Sequence, residues 1–449
     1  MNQQTLKSSR YIAANIWKKI FYKNSQFNFE INNNNEFNKL SKRDRAFVYN
    51  LISVCMRRNN QIREIYKKYP SKPINKKLKN LNSILTLATA ELIWLNIPAY
   101  AVLNSYVDLT KKFNEKHFSK FINLVLRKIA DDKNKIRLNL KPDTINLPKW
   151  MHQNWSEMYN KNNISEIVKI SMLEPALDIV CSKRMQAQQK TNLIQQLNGI
   201  EIFPNLIRSF YRGTISDLFG YQDGLWWVQD AGAFIQFEIL QKIIKSHFNH
   251  DDLSFLDLCC APGGKSFQML DKGLDIVSVD KNLKRLIVMT KNLKRLFFKG
   301  KLICQNVVDL NFSKQFDVIV LDSPCSSSGT IRKNPDIFLR RKNNYEELVK
   351  TQNNLLIKSS TLLKKNGLLM YIVCSLEKNE GEDLINNFCK ENKNFQILPI
   401  KKNDIIMGQD SIITKEGFLR ILPSSFIFSN EKKYNGTDGF FSAIIKKIN

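Results

Sequence analysis

Two cysteines stand where a thiol could do chemistry. Cys325 closes the segment Asp322-Ser-Pro-Cys325 after the apolar run Phe316–Leu321, and Cys374 follows the apolar run Leu368–Val373. Both fall at the predicted carboxyl end of a strand beside a polar loop. A cysteine that only fills space usually lies inside an apolar stretch. Other strand-like runs end in the same way. Phe255–Cys259 runs into Asp257-Leu-Cys-Cys-Ala-Pro-Gly-Gly-Lys-Ser266, Ile276–Val279 into Asp280, and Lys301–Cys304 towards Asp309. Open α/β sheets bind ligands outside the carboxyl ends of their strands, so these residues are predicted to share one site.

The glycine pair defines the ligand class. Gly263 and Gly264 allow a tight turn and close approach of backbone to a ligand. The spacing is neither that of a P-loop nor Gly-x-Gly-x-x-Gly, so a nucleoside triphosphate and a dinucleotide are disfavoured. An adenosine-type cofactor without a pyrophosphate fits better, and S-adenosylmethionine is the obvious one. Its loop would be Cys259, Cys260, Ala261, Pro262, Gly263, Gly264 and Lys265, with Lys265 orienting a carboxylate or a phosphate. Asp280 follows the second strand at about the ~20-residue spacing that places an acid on ribose hydroxyls. Asp309 is placed to touch a base amino group.

Thiols beside a methyl donor suggest one reaction. Carbon 5 of cytosine is a poor nucleophile until a thiolate adds to carbon 6 and makes the ring enamine-like. A free thiol titrates near ~8.5, so the site must lower that value. Asp322 is placed as a base or to hold the ring nitrogen while negative charge develops there. After methyl transfer the carbon-5 proton leaves and the thiolate is eliminated, and a second thiol could assist that release. Either Cys325 or Cys374 could attack on this reasoning alone.

The elements that must position these residues alternate strand and helix from about residue 250, including helices over Lys281–Phe298 and Tyr345–Leu363. Alternation of this kind predicts a mostly parallel sheet covered on both faces. A last strand, Gly439–Lys446, is expected at an antiparallel edge. Upstream, residues 149–245 predict a small α/β domain, with strands at Ala176–Cys181 and Leu225–Val228 and helices at Met185–Leu197 and Phe234–Ile244. Lys141–Pro148 is a polar linker bounded by prolines. Residues 1–140 predict an all-helical domain. Ser41-Lys-Arg-Asp44 caps a helix, and Leu81, Ile84, Leu85, Ala88, Leu92 and Leu95 share one face of another. Arg43, Arg45, Arg57, Arg58, Lys67 and Lys68 are expected on its basic outer face.

Composition narrows the partners. The 449 residues carry a net charge of +28, with Lys+Arg 69 against Asp+Glu 41, which favours a polyanion such as RNA. The eight cysteines and four histidines show no metal-ligand spacing, so no metal is expected, and reduced thiols fit a cytoplasmic protein. The polar start Met1–Arg10 has no apolar core of a signal peptide. The most apolar window, Leu81–Leu103, carries Asn82, Glu91 and Asn96, costly in lipid, so no membrane contact is expected.

Taken together, the segments Cys259–Lys265, Asp280 with Arg285-Leu286, Asp322–Gly329, Val373-Cys-Ser-Leu376 and Asp438-Gly-Phe-Phe441 resemble the bacterial RNA cytosine-C5 methyltransferases of the Sun (NOL1/NOP2/Sun) family. Arg332–Asp336 is similar to an element of the subgroup acting on 16S (small-subunit) ribosomal RNA. Leu40–Arg58, Pro98–Asp108 and Phe121–Arg127 look like the NusB-type RNA-binding domain carried by that subgroup. The resemblance implies a multidomain chain: a NusB-like all-α bundle (1–140), a small α/β middle domain (149–245) and a Rossmann-like class I methyltransferase domain (246–449). It implies Cys374 as nucleophile, Cys325 in product release and Arg285 among the cofactor residues, in a monomer acting on ribosomal RNA or an assembly intermediate. A transfer RNA substrate would keep the chemistry and change the partner. A non-catalytic assembly factor would tolerate loss of Cys374 or Asp322, and both are present.

Overall fold

The computed structural model describes residues 8–341, 345–405 and 410–448. Residues 1–7, part of the polar start discussed above, lie outside them. The chain forms two compact units. The first comprises Met1–Met172 with Ile331–Asn343, and the second Leu173–Thr330 with Asn344–Asn449. No helix among the described residues is long and apolar enough to cross a membrane.

The first unit is helical. Its central helix, Lys79–Trp94, is buried almost all round rather than on one face. Its polar residues are compatible with that burial because they are bonded. Ser83 and Thr86 donate to the Lys79 and Asn82 carbonyls, 2.7 Å each, within the helix itself. Glu91 is fully buried, yet Arg10 forks onto its carboxylate, with 3.0 Å to Oε1 and 2.7 Å to Oε2, and Tyr106 donates at 2.5 Å. An unpaired carboxylate at that depth would cost several kcal/mol. Ser41 caps helix Lys42–Arg57 by accepting from the Asp44 amide.

Three features of this unit differ from expectation. The segment 141–148 is docked: Asn146 Oδ1 accepts from the Asn60 and Gln61 amides, 3.1 Å each, and so caps helix Asn59–Tyr66, whose own N-cap residue, Arg58, makes no capping bond with its side chain. Helices Lys149–Ser156 and Lys161–Met172 belong to this unit and not to the small sheet that follows. Arg57 and Arg58 are spent on internal bonds. Arg57 donates to the Ser171 carbonyl (3.3 Å) and the Arg332 carbonyl (2.7 Å), while Arg58 meets Asp143 at 2.7 Å. Residues 331–341 also pack here, with Arg332 and Asp336 buried and the Arg340 carbonyl accepting from Trp150 at 3.0 Å.

The second unit holds two sheets. The smaller contains β1 (Leu177–Cys181), β2 (Ile200–Phe203), β3 (Leu206–Ser209) and β4 (Trp226–Val228), antiparallel in the order β2-β3-β1-β4. Arg208 on β3 is fully buried and forks onto Asp178 of β1 at 2.6 and 2.7 Å, with its remaining nitrogen on the Tyr434 and Gly436 carbonyls.

The larger sheet contains β5 (Phe255–Leu258), β6 (Ile276–Asp280), β7 (Lys301–Cys304), β8 (Phe316–Asp322), β9 (Leu363–Val373), β10 (Phe395–Ile397), β11 (Leu419–Ile421) and β12 (Phe440–Lys447). Its order is β10-β12-β9-β8-β5-β6-β7, with β11 also on β12. Strands β5 to β9 are parallel. Strand β12 is antiparallel to β9, as expected, but it is interior and not an edge, because β10 and β11 pair with it. Its residues Phe440 to Ile445 are all buried, so both faces need cover, which an edge strand with a solvated face would not supply.

Candidate active site

The carboxyl ends of β6, β5, β8 and β9 lie side by side in that order. The order reverses at β5, so the crevice opens at a topological switch point. A cavity of about 550 Å³ is found there, walled by Cys259, Asp280, Arg285, Asp322, Cys325 and Cys374 among others. Six predicted site residues from four separate segments therefore meet on one surface.

The glycine corner is built from its own bonds. Asp280 accepts from the Ala261 amide (3.1 Å) and the Asn282 amide (2.8 Å), and Arg285 donates to the Ala261 carbonyl. Asp280 thus braces the loop whose ligand it was expected to touch. Gly263 has φ +111° and a Cβ there would stand 2.5 Å from the Phe267 ring, so only glycine fits the entry to helix Gly264–Asp271. Cys260 faces inwards, with its sulfur 3.8 Å from that of Met289, and burial holds it as a thiol. Cys259 reaches the cavity wall, but burial pushes its thiol up to about 12.

Lys265 lies beneath the wall, with Nζ 2.8 Å from Asp322 Oδ2. Its charge goes to the carboxylate at the end of β8, not to a group the cavity would admit. Asp309 is exposed, and it is the preceding residues Asn306, Val307 and Val308 that form the wall. Asp257, at the end of β5, is fully buried. Its Oδ2 accepts from Ser266, its Oδ1 has no partner among the described residues, and burial raises its carboxyl from 3.8 to about 7.

The two strand-end thiols touch. Cys325 Sγ and Cys374 Sγ are 3.3 Å apart, and Cys374 lies 3.5 Å from Ser327 Oγ. The hydrogen bond with Cys374 and then burial hold Cys325 well above the usual thiol range. The loops carrying them are tied together: the Gly329 amide donates to the Cys374 carbonyl (3.0 Å), and the Leu376 amide to Ser328 Oγ (2.8 Å). Gly329 also accepts from the Gly439 amide at 2.8 Å, which brings the Asp438-Gly-Phe-Phe441 segment against the Cys325 loop.

Sequence reasoning passed over two contributors. Helix Tyr345–Thr361 supplies Thr351, Asn354 and Leu355 to the wall, and nothing in their types marks them. Glu380, fully buried, accepts from residues next to both thiols. An acid five residues past Ser375 was visible, but not its depth.

Comparison with known proteins agrees with this arrangement. Residues 246–446 match the family model described as 16S rRNA methyltransferase RsmB/F, and residues 7–131 match the NusB family. The chain is 26% identical to ribosomal RNA small subunit methyltransferase B of Pasteurella multocida, over 99% of this chain and 97% of that one. It is 28% identical to a probable ribosomal RNA small subunit methyltransferase B of Synechocystis, over 98% and 99%. Among solved structures, PH0851 superposes with a TM-score of 0.69 at 18% identity, over 98% of this chain and 99% of that one. NSun6 from Pyrococcus horikoshii, solved with SFG, gives 0.55 at 16% identity, over 68% and 99%.

Proposed function

Because the chain belongs to the RsmB/F family of methyltransferases, with a NusB-family domain ahead of the catalytic part, we propose that it methylates carbon 5 of a specific cytosine in 16S ribosomal RNA through a covalent cysteine adduct. S-adenosylmethionine-dependent RNA methylation is the activity of the family. The carbon position, the ribosomal target and the residue roles are this reading. The observation that carries it is the contact between Cys325 and Cys374 on the wall that also holds Asp322.

The residues present fit the cofactor. The cavity has the size of a small-ligand site. Asp280 at the end of β6 offers a carboxylate for ribose hydroxyls, Arg285 stands beside it, and Asp257 keeps a buried oxygen without a partner. When bound, S-adenosylmethionine supplies a methyl group on a sulfonium, an electrophile for carbon 5.

The chain's own groups do the rest. Cys374, as a thiolate, adds to carbon 6 and loads the ring with electrons. Asp322, placed beside the Lys265 ammonium, delivers a proton to the ring nitrogen as negative charge accumulates there and is left as the carboxylate that the ammonium holds. Once carbon 5 carries its methyl group, the Asp322 carboxylate takes the carbon-5 proton, the double bond re-forms, the pair of the carbon–sulfur bond returns to Cys374, and the ring nitrogen gives its proton to water. As Cys374 departs as a thiolate, the Cys325 thiol 3.3 Å away can turn its hydrogen to that sulfur and so support the release. Cys259 and Cys260 hold the cofactor loop, as thiols too basic to attack. A base within a stack is out of reach, so the target must be unpaired or extruded. The helical NusB-type domain would dock the RNA, and the small α/β domain would link it to the catalytic part.

The test uses 16S RNA and labelled S-adenosylmethionine. Cys374→Ala is expected to abolish transfer and form no adduct. Cys325→Ala is expected to accumulate a protein–RNA adduct that survives denaturing electrophoresis. The reverse pattern would exchange the two roles, and a bisulfite profile unchanged in a deletion strain would remove the ribosomal target.

A further inference from the structure

Strands β8 and β9 are parallel neighbours whose register runs out at Asp322 and Ile372. Beyond that point only scattered backbone bonds among the described residues join the loops, the Ser323 amide to the Ile372 carbonyl (2.9 Å) and the Gly329 amide to the Cys374 carbonyl (3.0 Å), and the sulfurs of Cys325 and Cys374 lie in contact. Glu380 lies under both loops. Its Oε1 accepts from the Ser326 amide at 2.8 Å, and its Oε2 accepts from the Ser326 hydroxyl at 2.5 Å and from the Ser375 hydroxyl. Ser326 follows Cys325 and Ser375 follows Cys374, so one carboxylate grips the neighbour of each thiol. Gln352 adds a fourth bond, 2.9 Å to Oε1, and its amide also reaches the Pro324 carbonyl at 3.0 Å. The Glu380 carbonyl accepts from Tyr371 of β9 at 2.8 Å, which fixes the carboxylate's own backbone.

A carboxylate at zero exposure is costly unless its lone pairs are filled. Here four donors fill them, and three come from the loops that carry the thiols. We propose that Glu380 is the positioning residue of the thiol pair, a buried clamp that holds the Cys325 loop against the Cys374 loop at sulfur-contact distance. It touches no reacting atom. Its consequence for methyl transfer rests on the reading of Cys374 as nucleophile, but its effect on the thiol–thiol distance does not.

The donor pattern separates charge from geometry. In Glu380→Gln the amide carbonyl can take the Oε1 place and accept from the Ser326 amide and Gln352. The amide nitrogen then meets two hydroxyls, which can rotate to accept. The clamp persists and the charge is lost. Glu380→Ala removes both, and displacements of about 1 Å at reacting groups cost roughly a hundredfold.

The experiment treats the full chain, free of RNA, with the thiol oxidant diamide and maps the Cys325–Cys374 disulfide on non-reducing peptide digests. Wild type and Glu380→Gln should form it at rates within about threefold, and Glu380→Ala at least roughly tenfold more slowly, all measured well below the melting temperature of each variant. Methylation should fall by less than about tenfold in Glu380→Gln and about a hundredfold in Glu380→Ala. The negative charge helps keep Cys325 a thiol, so the alkaline limb of the pH–rate profile should move to lower pH in Glu380→Gln, which a purely structural role would not cause. If Glu380→Ala does not fold, Ser326→Ala combined with Ser375→Ala removes the two hydroxyl arms, leaving the Ser326 amide and Gln352, and should slow the disulfide in the same direction by at least about threefold. Disulfide formation at the wild-type rate in Glu380→Ala or in the double-serine variant overturns the clamp, whatever happens to methylation. Slower disulfide formation in an enzyme whose methylation survives Cys374→Ala leaves the clamp standing and removes the nucleophile assignment instead.

Discussion

Asp257 is a pH probe built into the glycine corner, and Asp257→Asn isolates it. Burial raises its carboxyl from 3.8 to about 7, against the lowering effects of the Ser266 hydrogen bond and the Lys265 charge. A folded-state value above the unfolded one means that the protonated form is the one that folding favours. Below pH 3.8 the group costs nothing. Above it the unfolded chain releases its proton while the folded chain keeps it, so stability falls by about 1.4 kcal/mol per pH unit until pH 7. The whole loss is about 4 kcal/mol, reached near pH 7 and constant beyond. Asn cannot ionise and escapes this loss, but its amide nitrogen faces the place where Oδ1 now has no partner, at a pH-independent cost of about 1–3 kcal/mol. The quantity to measure is therefore how the difference between variant and wild type changes with pH, since all other titrations cancel. Urea unfolding at pH 5 and pH 8 should show the balance moving towards the variant by roughly 2–3 kcal/mol at the higher pH. A difference that stays flat between these pH values would refute the reasoning, because the carboxyl would then not change its charge between them in the folded protein alone.

Lys265→Met should lower turnover by about a hundredfold with little change in S-adenosylmethionine affinity, since the ammonium supports Asp322; a loss confined to cofactor affinity, measured by calorimetry, would return the lysine to the cofactor. In Gly329→Ala the new Cβ would stand 2.0 Å from the Gly439 carbonyl oxygen, so the Cys325 loop must move and single-turnover methylation should drop by roughly a hundredfold; a rate within twofold of wild type would contradict that. Arg208→Met strands Asp178 and two backbone carbonyls in the core and should cost about 3–5 kcal/mol, seen as a melting temperature lower by roughly 10 °C; a change under 2 °C would show that the site relaxes.

Some of what was misjudged was nonetheless legible. The run from Phe440 to Ile445 is apolar at nearly every position, not at alternate ones, and so signals a strand covered on both faces. The hairpin of β2 and β3 was passed over although Pro204-Asn205 carries turn chemistry, with Asn205 at φ +64°. Other outcomes had no local signal. Nothing in the types of Arg57 and Arg58 separates an internal anchor from a solvated cation, and the fate of Arg332–Asp336 depends on helices some 160 residues or more away along the chain.

What the sequence by itself determined is the chemistry at the strand ends. Apolar runs of strand length, each followed by an acid, a thiol or a glycine turn, bring Asp280, Asp322, Cys325 and Cys374 to one sheet edge, because strand period and chain direction are local properties. Only the tertiary structure decided which of these groups face the cavity and which meet. The thiol contact, the pairing of Lys265 with Asp322 and the depth of Glu380 depend on register between strands and on side chains from distant segments. Such packing is cooperative, and no window of residues contains it.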